Sequence, residues 1–371
     1  MFADPCQILF IHNSVPEYRL EFWRILSGKV ELQLLITDKD CERKAYGFQK
    51  DESGLNISYL TLSNYQQWLH DTCKFDVVVL SPVDNKKDYH LCKDFAKAAK
   101  TGNTKVVMWT EGWTWPKQPL HRIPFLWYER HIRKAICSMS DLCIVSGTRS
   151  YQYMRTLGAG KLLMAIDSST SPKSDLNNIR KKYGLPADSR IVLYLSRIME
   201  MKGLDLLIEA FDKIASDYPN TYLLIGGDGS FKAECEALAA TKASKDRIRF
   251  IGKIQPAVRA SYFREADVFV LPTHESHGRI EIWGLVVNEC LEQGTPVITT
   301  TAVGSSYDIV DDTVGKVVEE NSVDSLMVGL QQVLDKPSGY FHDACVARYD
   351  QYSIRNMANE FYQAFVKVTE K

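Results

Sequence analysis

Residues 191–211, IVLYLSRIMEMKGLDLLIEAF, contain the clearest structural signal in this chain. An apolar run at 191–195 is followed by a loop that holds Arg197 and Lys202, and an amphipathic segment begins at Leu204. A short run rich in Val, Ile and Leu is typical of a parallel strand buried on both faces, and apolar residues three and four positions apart are typical of a helix. The stretch therefore predicts a strand, loop and helix of an α/β domain.

The same alternation continues along the whole chain. Amphipathic stretches, among them 203–216, 230–243 and 285–293, separate the apolar runs. The predicted strands are 7–12, 31–37, 75–80, 105–109, 142–145 and 162–166 in the first half, and 191–195, 221–226, 248–251, 268–271, 296–300 and 315–318 in the second. Strands spaced by helices predict two doubly wound, Rossmann-like parallel sheets.

A chain of 371 residues is long enough for two domains. The polar stretch after residue 167 breaks the pattern and predicts the boundary. We expect an N-terminal domain at 1–167 and a C-terminal domain at 175–352. A last amphipathic helix, at 353–371, is expected to cross back to the first domain.

The sequence has 45 Lys and Arg and 46 Asp and Glu, so its net charge is −1. This balance excludes the basic composition that is usual in nucleic-acid-binding proteins. The sequence contains neither a signal-peptide pattern nor a run of about 18 apolar residues. Its nine cysteines form no C-x-x-C pair, which favours reduced thiols. These features predict a cytoplasmic protein.

Two cations follow the 191–195 strand. Arg197 suits paired hydrogen bonds to a diphosphate and Lys202 supplies a point charge, at the sheet edge where α/β proteins bind ligands. Taken alone, they are also compatible with two exposed loop residues. The glycine-rich turn around Gly227 can let a phosphate or sugar approach the backbone, although a plain tight turn explains it as well.

The third signal is the segment from Glu281 to Glu289. Leu285 and the apolar residues after it have helical spacing, so Gly284 is the expected helix start. A helix N-terminus favours an anion, and Glu281 would stand beside it in the preceding loop. Glu289, about one turn into the helix, could accept hydrogen bonds from a ribose diol. The alternative is one carboxylate on the helix dipole and one half-buried structural glutamate.

In this order the motifs resemble the retaining nucleotide-sugar glycosyltransferases of family 4, which have the GT-B fold of two Rossmann-like domains facing across a cleft. The resemblance covers almost all of the second domain, and Ser196 replaces the usual glycine before the arginine. The segments that carry it are Arg197 with Lys202-Gly203, Gly226-Gly227-Asp228-Gly229, Phe250-Ile251-Gly252, Glu281-x7-Glu289 and Gly294-x-Pro296-Val297.

The resemblance implies that Arg197 and Lys202 bind the donor diphosphate, that Glu281 contacts the hexose and that Glu289 contacts the ribose. Glu281, Arg197 and Lys202 are the expected catalytic residues. Preplaced cations can stabilise a leaving diphosphate, and no Asp-x-Asp motif supplies a metal, so no cofactor or metal is expected. The other residues expected to contact the donor are Gly227, Lys253, Ile254, Trp283, Gly284 and Leu285.

The first domain matches the family less closely. A Pro16-x-Tyr18-Arg19 turn is similar to a bacterial subgroup that builds surface polysaccharides, and Glu111 occupies the stretch where many relatives have an acceptor-side His. Tyr18, Arg19 and Glu111 are therefore the expected acceptor-side residues.

Residues 122–134 mix aromatic and basic side chains on a predicted helix. That helix could rest on the inner face of the membrane, beside a lipid-linked acceptor, or simply expose a solvated cationic face.

The leading hypothesis is a retaining, metal-independent hexosyltransferase that takes a nucleoside-diphosphate sugar, with uridine as the expected base, to a glycan or lipid-linked acceptor of polysaccharide biosynthesis. A nucleotide-sugar 2-epimerase and a catalytically silent GT-B partner subunit are the alternatives. The presence of Arg197, Lys202 and Glu281 favours the transferase.

Overall fold

The computed structural model describes residues 5–38, 52–81, 86–114, 119–172 and 178–370. The chain divides into two compact units. The first unit contains the residues up to Trp113, the segment Pro119–Asp167 and the C-terminal helix from Ile354 onward. The second unit contains Ser168–Ser353.

In the described part of the first unit, seven parallel strands form a sheet in the order β3-β2-β1-β4-β5-β6-β7. The strands are β1 (Gln7–His12), β2 (Glu31–Ile36), β3 (Asn56–Tyr59), β4 (Val77–Leu80), β5 (Lys105–Thr110), β6 (Leu142–Val145) and β7 (Leu162–Met164). The α-helices are α1 (Leu20–Ser27), α2 (Tyr65–Asp71), α3 (Lys86–Ala99), α4 (Ile123–Met139) and α5 (Thr148–Thr156).

Strand β3 is missing from the sequence prediction. Its residues, Asn56–Tyr59, lie at the sheet edge and none of them is fully buried. An edge strand that is only half covered lacks the apolar run that a central parallel strand needs, so its sequence gives little signal.

The second unit contains six parallel strands within the described residues, in the order β10-β9-β8-β11-β12-β13. The strands are β8 (Arg190–Leu195), β9 (Thr221–Gly226), β10 (Ile248–Gly252), β11 (Val268–Leu271), β12 (Val297–Thr300) and β13 (Gly315–Val318). The α-helices are α6 (Ile179–Lys182), α7 (Leu204–Ile214), α8 (Lys232–Ala240), α9 (Pro256–Glu265), α10 (Val286–Glu292), α11 (Val323–Leu334) and α12 (His342–Gln351).

The last helix, α13 (Ile354–Thr369), packs on α1 in the first unit. Phe361 is fully buried, and its ring lies edge-on to Phe22 at 5.0 Å and to Trp109 at 5.4 Å between centroids. Met357 and Phe365, one turn away on either side, are buried in the same core. Helical spacing of large apolar residues thus gives α13 a single face that the first unit covers.

Both sheets reverse their strand order once, between β1 and β4 in the first unit and between β8 and β11 in the second. Parallel strands all end at the same edge, and a ligand crevice opens at that edge beside the reversal. A ligand is therefore expected beside the loops after β1, β8 and β11.

Candidate active site

The loop after β8 carries both predicted phosphate-binding cations. Arg197 is exposed, and none of the described carboxylates forms an ion pair with it. Lys202 ends a short 3-10 helix, Glu200–Lys202, and its side chain is only 9% exposed. Gly203 follows with φ +64°, and a Cβ there would lie 2.1 Å from the Pro272 carbonyl oxygen. Only glycine lets this loop pack so closely on the segment after β11.

Lys202 meets Glu281, the predicted sugar-contacting residue. The Lys202 Nζ donates to Glu281 Oε2 and the two form an ion pair. The Glu281 backbone is fixed as a short parallel bridge beside β12, because its N–H donates to Ala302 O at 3.1 Å and its carbonyl accepts from Gly304 N at 3.0 Å. The structure therefore brings together two of the three predicted catalytic residues from loops 79 positions apart.

Burial lowers the pKa of Lys202 to about 8, and the neighbouring Arg197 cation acts in the same direction. The Glu281 carboxylate opposes the shift by direct attraction. A cation that is partly desolvated and close to a second cation gains a great deal from a bound anion. Electrostatically, this loop is suited to a diphosphate.

The glycine turn after β9 lies against the same loop. Gly227 has φ +143°, and a Cβ on it would lie 1.9 Å from the Ser196 carbonyl oxygen. Its N–H donates to Gly252 O at 2.9 Å, which joins the ends of β9 and β10. Beyond Gly252, Lys253 is exposed and Ile254 is half-buried. Close packing of backbone on backbone is the structural reason for glycine at position 227.

The predicted helix start at Gly284 is wrong by two residues. Gly284 has φ +90°, outside the right-handed helical region, and α10 begins at Val286 with Leu285 as its N-cap. Trp283 is buried, and its indole Nε1 donates to Asn288 Oδ1 at 3.0 Å. The Trp283 side chain therefore packs inside the second unit and holds the first turn of α10.

Glu289 is 2% exposed and its carboxylate is fully engaged. It forms an ion pair with Arg259, whose Nε lies 2.7 Å from Oε2, and it accepts from Ser169 Oγ at 3.3 Å and Ser171 Oγ at 3.2 Å. Burial raises the pKa of Glu289, while Arg259 and the two serines oppose the rise. The geometry is that of a glutamate held inside the unit, which the sequence analysis kept as an alternative.

On the first unit, Arg19 joins the residues predicted for the acceptor side. Arg19 is 2% exposed, and its guanidinium binds both Asp167 oxygens and, through Nη2, Glu111 Oε1 at 2.8 Å. It also lies over the Trp109 ring at 5.0 Å. Burial works to lower the pKa of Arg19, but the two carboxylates outweigh it and raise the pKa. Arg19 thus stays charged inside the protein.

Glu111 is the end of this cluster that reaches solvent, with a side chain 38% exposed. The next residue, Gly112, has no space for a side chain, because a Cβ would lie 1.7 Å from a guanidinium nitrogen of Arg133. Tyr18 is exposed, with its ring 5.3 Å from the Arg19 Cζ. The buried Arg19 therefore holds in place a carboxylate that is partly exposed to solvent.

Four residues of these sites were missed by the sequence analysis. Asp167 was assigned to the domain boundary, although an acid directly after a strand run is a usable signal. His12, at the end of β1, is held neutral because burial lowers its pKa to about 4. Arg259 and Ser169, the partners of Glu289, carry no local pattern that points to a glutamate 30 and 120 positions away.

The predicted membrane-facing segment contains the start of α4. Large apolar side chains are exposed to solvent there, with Trp127 69% exposed and Ile123 and Phe125 also exposed. Leu120, two residues before the segment, is exposed as well. Arg122 lies 5.8 Å from the Phe125 ring. Further along, Ile132 and Arg133 are buried. The exposed large apolar side chains are therefore confined to the first part of the segment.

Within the described ranges there is neither a metal-binding cluster nor a membrane-spanning helix. No group of three or more His, Cys, Asp and Glu there is arranged to hold a metal ion. No helix among the residues of these ranges is long and apolar enough to span a bilayer.

In the second unit, residues 175–348 match the family model for glycosyl transferases group 1. The chain is 27% identical over 251 residues to a GDP-mannose-dependent monoacylated alpha-(1-6)-phosphatidylinositol monomannoside mannosyltransferase of Corynebacterium glutamicum, covering 65% of this chain and 63% of that protein. It is 30% identical over 193 residues to the lipopolysaccharide core biosynthesis glycosyltransferase LpsE of Rhizobium meliloti, covering 52% and 54%. The chain thus matches from about half to just under two thirds of the length of these relatives.

Solved structures match over nearly the whole chain. A sucrose-phosphate synthase from Thermosynechococcus elongatus superposes with a TM-score of 0.72 at 17% identity, covering 97% of this chain and 98% of that one. The Anabaena protein HepE, in complex with UDP, gives a TM-score of 0.75 at 13% identity and covers 97% and 100%. Both sheets are thereby matched, and the fold prediction is confirmed. The chain has the two Rossmann-like α/β domains of the GT-B fold, and residues 175–348 match the glycosyl transferases group 1 family.

Proposed function

We propose that this protein is a retaining glycosyltransferase that moves a hexose from a nucleoside-diphosphate sugar to a glycan or lipid-linked acceptor, without a metal ion. The observation that carries the proposal is the cluster of Arg197, Lys202 and Glu281 at the strand-order reversal of the second unit. The family match over residues 175–348 supports the same assignment.

In the proposed reaction the bond between the anomeric carbon and the diphosphate oxygen breaks, and the acceptor oxygen forms the new bond to that carbon while its hydroxyl proton passes to the leaving diphosphate. Negative charge accumulates on the leaving diphosphate. Arg197 can bind it with paired N–H donors and Lys202 with a charge held in a poorly solvated place. Groups preplaced where charge develops lower the barrier without reorganising, so two cations can take the role of a metal.

Glu281 changes partner in this scheme. Without a donor, its carboxylate is paired with Lys202. A bound diphosphate attracts Lys202 more strongly, because it carries more charge than a carboxylate. Glu281 can then accept hydrogen bonds from hexose hydroxyls beside the anomeric carbon. The pair therefore links recognition of the phosphate to recognition of the sugar.

For the nucleoside we propose that Gly227, Lys253 and Ile254 line the base-binding side, with Glu289 near the ribose. Uridine is the favoured nucleoside, because HepE was solved in complex with UDP. The Corynebacterium relative, by contrast, is named as GDP-mannose-dependent. Since Ser169, Ser171 and Arg259 already hold Glu289, a ribose diol would have to replace the serine hydroxyls.

The acceptor is assigned to the first unit. Glu111 offers a carboxylate fixed by Arg19, and a fixed carboxylate can orient an acceptor hydroxyl by accepting its hydrogen bond. We further propose that the exposed face of Leu120, Ile123, Phe125 and Trp127 rests on a membrane surface, where apolar groups enter the lipid boundary and nearby cations meet anionic headgroups. That placement suits a lipid-linked acceptor at the cytoplasmic face.

The experiment is a thermal-shift and calorimetric screen against UDP, GDP and their hexose conjugates, with EDTA present. One nucleoside diphosphate should raise the melting temperature of the wild type, and its sugar conjugate should be hydrolysed or transferred with the anomeric configuration kept, as read by NMR. An inverted product, or donor binding abolished by EDTA, would contradict the proposal. Liposome co-sedimentation of wild type and Trp127→Ser tests the membrane part separately.

A further inference from the structure

A group of cations lies in the first unit at the amino ends of β6 and β7, which is the sheet edge opposite to the one that carries Arg19 and Glu111. A cavity of about 520 Å³ opens where β6 and β7 begin. The cavity is lined by Leu142, Tyr151, Arg155, Ala159, Gly160, Lys161, Leu162 and Lys367, so three of its eight lining residues are cations and none is acidic.

These cations come from three different elements. Arg155 lies in the last turn of α5, Lys367 lies in the last turn of α13 and Lys161 precedes β7. Within the ranges that the structure describes, no ion pair joins any of them to a carboxylate. Asp141, next to the lining residue Leu142, accepts from the Val106 N–H at 2.8 Å. The lining of the cavity thus carries a net positive formal charge.

A simpler explanation covers only part of the cluster. Cations in the last turn of a helix stabilise its dipole, which accounts for Arg155 and Lys367 separately. It does not account for Lys161, which lies outside any helix, or for the convergence of all three on one cavity. Like charges gathered around a cavity repel each other, and an anion between them removes that cost.

The lining also limits the kind of anion. About 520 Å³ is within the range of small-molecule sites and far more than an inorganic phosphate needs. Leu142 and Leu162 supply apolar wall, and the Tyr151 hydroxyl can donate a hydrogen bond. These features suit a phosphate group attached to an organic body.

We propose that this cavity binds a phosphate ester, at a site separate from the proposed donor and acceptor residues. Arg155, Lys161 and Lys367 hold the phosphate, and the leucines contact the organic part. Arg19 and Glu111 lie at the carboxyl ends of the strands, whereas this cavity lies at the amino ends of β6 and β7, one strand length away or about 13 Å. Occupancy of this site therefore leaves the acceptor-side carboxylate uncovered.

The test is calorimetric titration of the full chain with three probes, namely inorganic phosphate, glycerol 3-phosphate and monomeric dihexanoyl phosphatidate. The wild type should bind a phosphate ester, and Arg155→Ala/Lys161→Ala should weaken that binding by about tenfold or more. Lys97→Ala is the matched control, since Lys97 is an exposed cation in the last turn of α3 and is not part of the cavity. Lys97→Ala should change the affinity for the phosphate ester by less than about twofold. If the double variant folds poorly, the single variant Lys161→Gln is measured in its place.

The probes distinguish the source of the ligand. Binding of glycerol 3-phosphate that the double variant loses supports a soluble ester, and binding of the phosphatidate alone, lost in the same variant, supports a lipid headgroup. UDP binding should be the same in all variants, which separates this site from the proposed donor site. No binding of any probe by the wild type, or equal weakening by Lys97→Ala, would overturn the proposal.

Discussion

Replacing Lys202 by Ala removes the buried cation of the proposed phosphate site. A cation and an anion about 4 Å apart attract each other by about 4 kcal/mol at an effective dielectric constant of about 20. In the free protein Lys202 already has part of that attraction from Glu281, which it gives up when a diphosphate binds. The net loss on truncation should therefore be about 2–3 kcal/mol, near the lower end of the range for buried charge pairs. This corresponds to a UDP Kd raised by about 30–150-fold.

The assay is calorimetry of UDP binding to wild type and variant, each with EDTA. Lys213→Ala is the matched control, since it also removes a lysine from an ion pair, with Asp324, but at an exposed place. Because the variant leaves Glu281 without its lysine, Lys202→Ala/Glu281→Gln shows whether any loss comes from that unpaired carboxylate. Unchanged affinity in Lys202→Ala, or a loss just as large in Lys213→Ala, would show that this loop does not bind the diphosphate.

Three further predictions concern Glu281, Glu289, Lys202 and Asp167. Glu281→Gln should lower kcat, whereas Glu289→Gln should mainly raise KM. Steady-state kinetics measures both, and a fall in kcat in Glu289→Gln alone would contradict this assignment. A bound diphosphate raises the pKa of Lys202 from about 8, so UDP affinity should be constant between about pH 7 and 8 and fall by up to about tenfold per pH unit above pH 8. Calorimetry should find no such fall in Lys202→Arg. Asp167→Ala removes the carboxylate that binds both terminal nitrogens of the buried Arg19 and should cost about 3 kcal/mol of unfolding free energy. An unchanged denaturation midpoint would refute the pairing.

The strands of both sheets were largely predictable because parallel strands are buried on both faces. Twelve apolar runs predicted twelve strands, and the ends agree to within about two residues. Among the residues that the structure describes, the one additional strand is β3, an edge strand whose residues are only partly covered, so burial selects no apolar run there. What the sequence shows well is therefore the buried centre of each sheet.

Side-chain partners could be predicted only where the motif itself contains both members. Lys202 and Glu281 were both expected at one ligand, and the structure joins them. The pairing of Arg19 with Asp167 spans 148 positions, and that of Glu289 with Ser169 spans 120. The periodicity of the sequence does not predict such pairs. They depend on the strand order, which determines the strand ends that lie side by side. The fully buried state of Arg19 and Glu289 follows from those partners, since an isolated charge would not remain ionised inside the protein.

The predicted site residues at the two strand-order reversals carry opposite formal charge. In the second unit, the cations Arg197 and Lys202 and the carboxylate of Glu281 sum to one positive charge. In the first unit, the cation Arg19 and the carboxylates of Asp167 and Glu111 sum to one negative charge. The topology is of the same kind in both units, so the difference comes entirely from the loops at the carboxyl ends of the strands. A positive set of site residues suits a diphosphate, which must be held while its charge increases. A negative one repels that anion and suits a neutral acceptor rich in hydroxyl groups, whose hydrogen bonds a fixed carboxylate accepts. This charge difference gives a physical reason for assigning the donor to the second unit and the acceptor to the first.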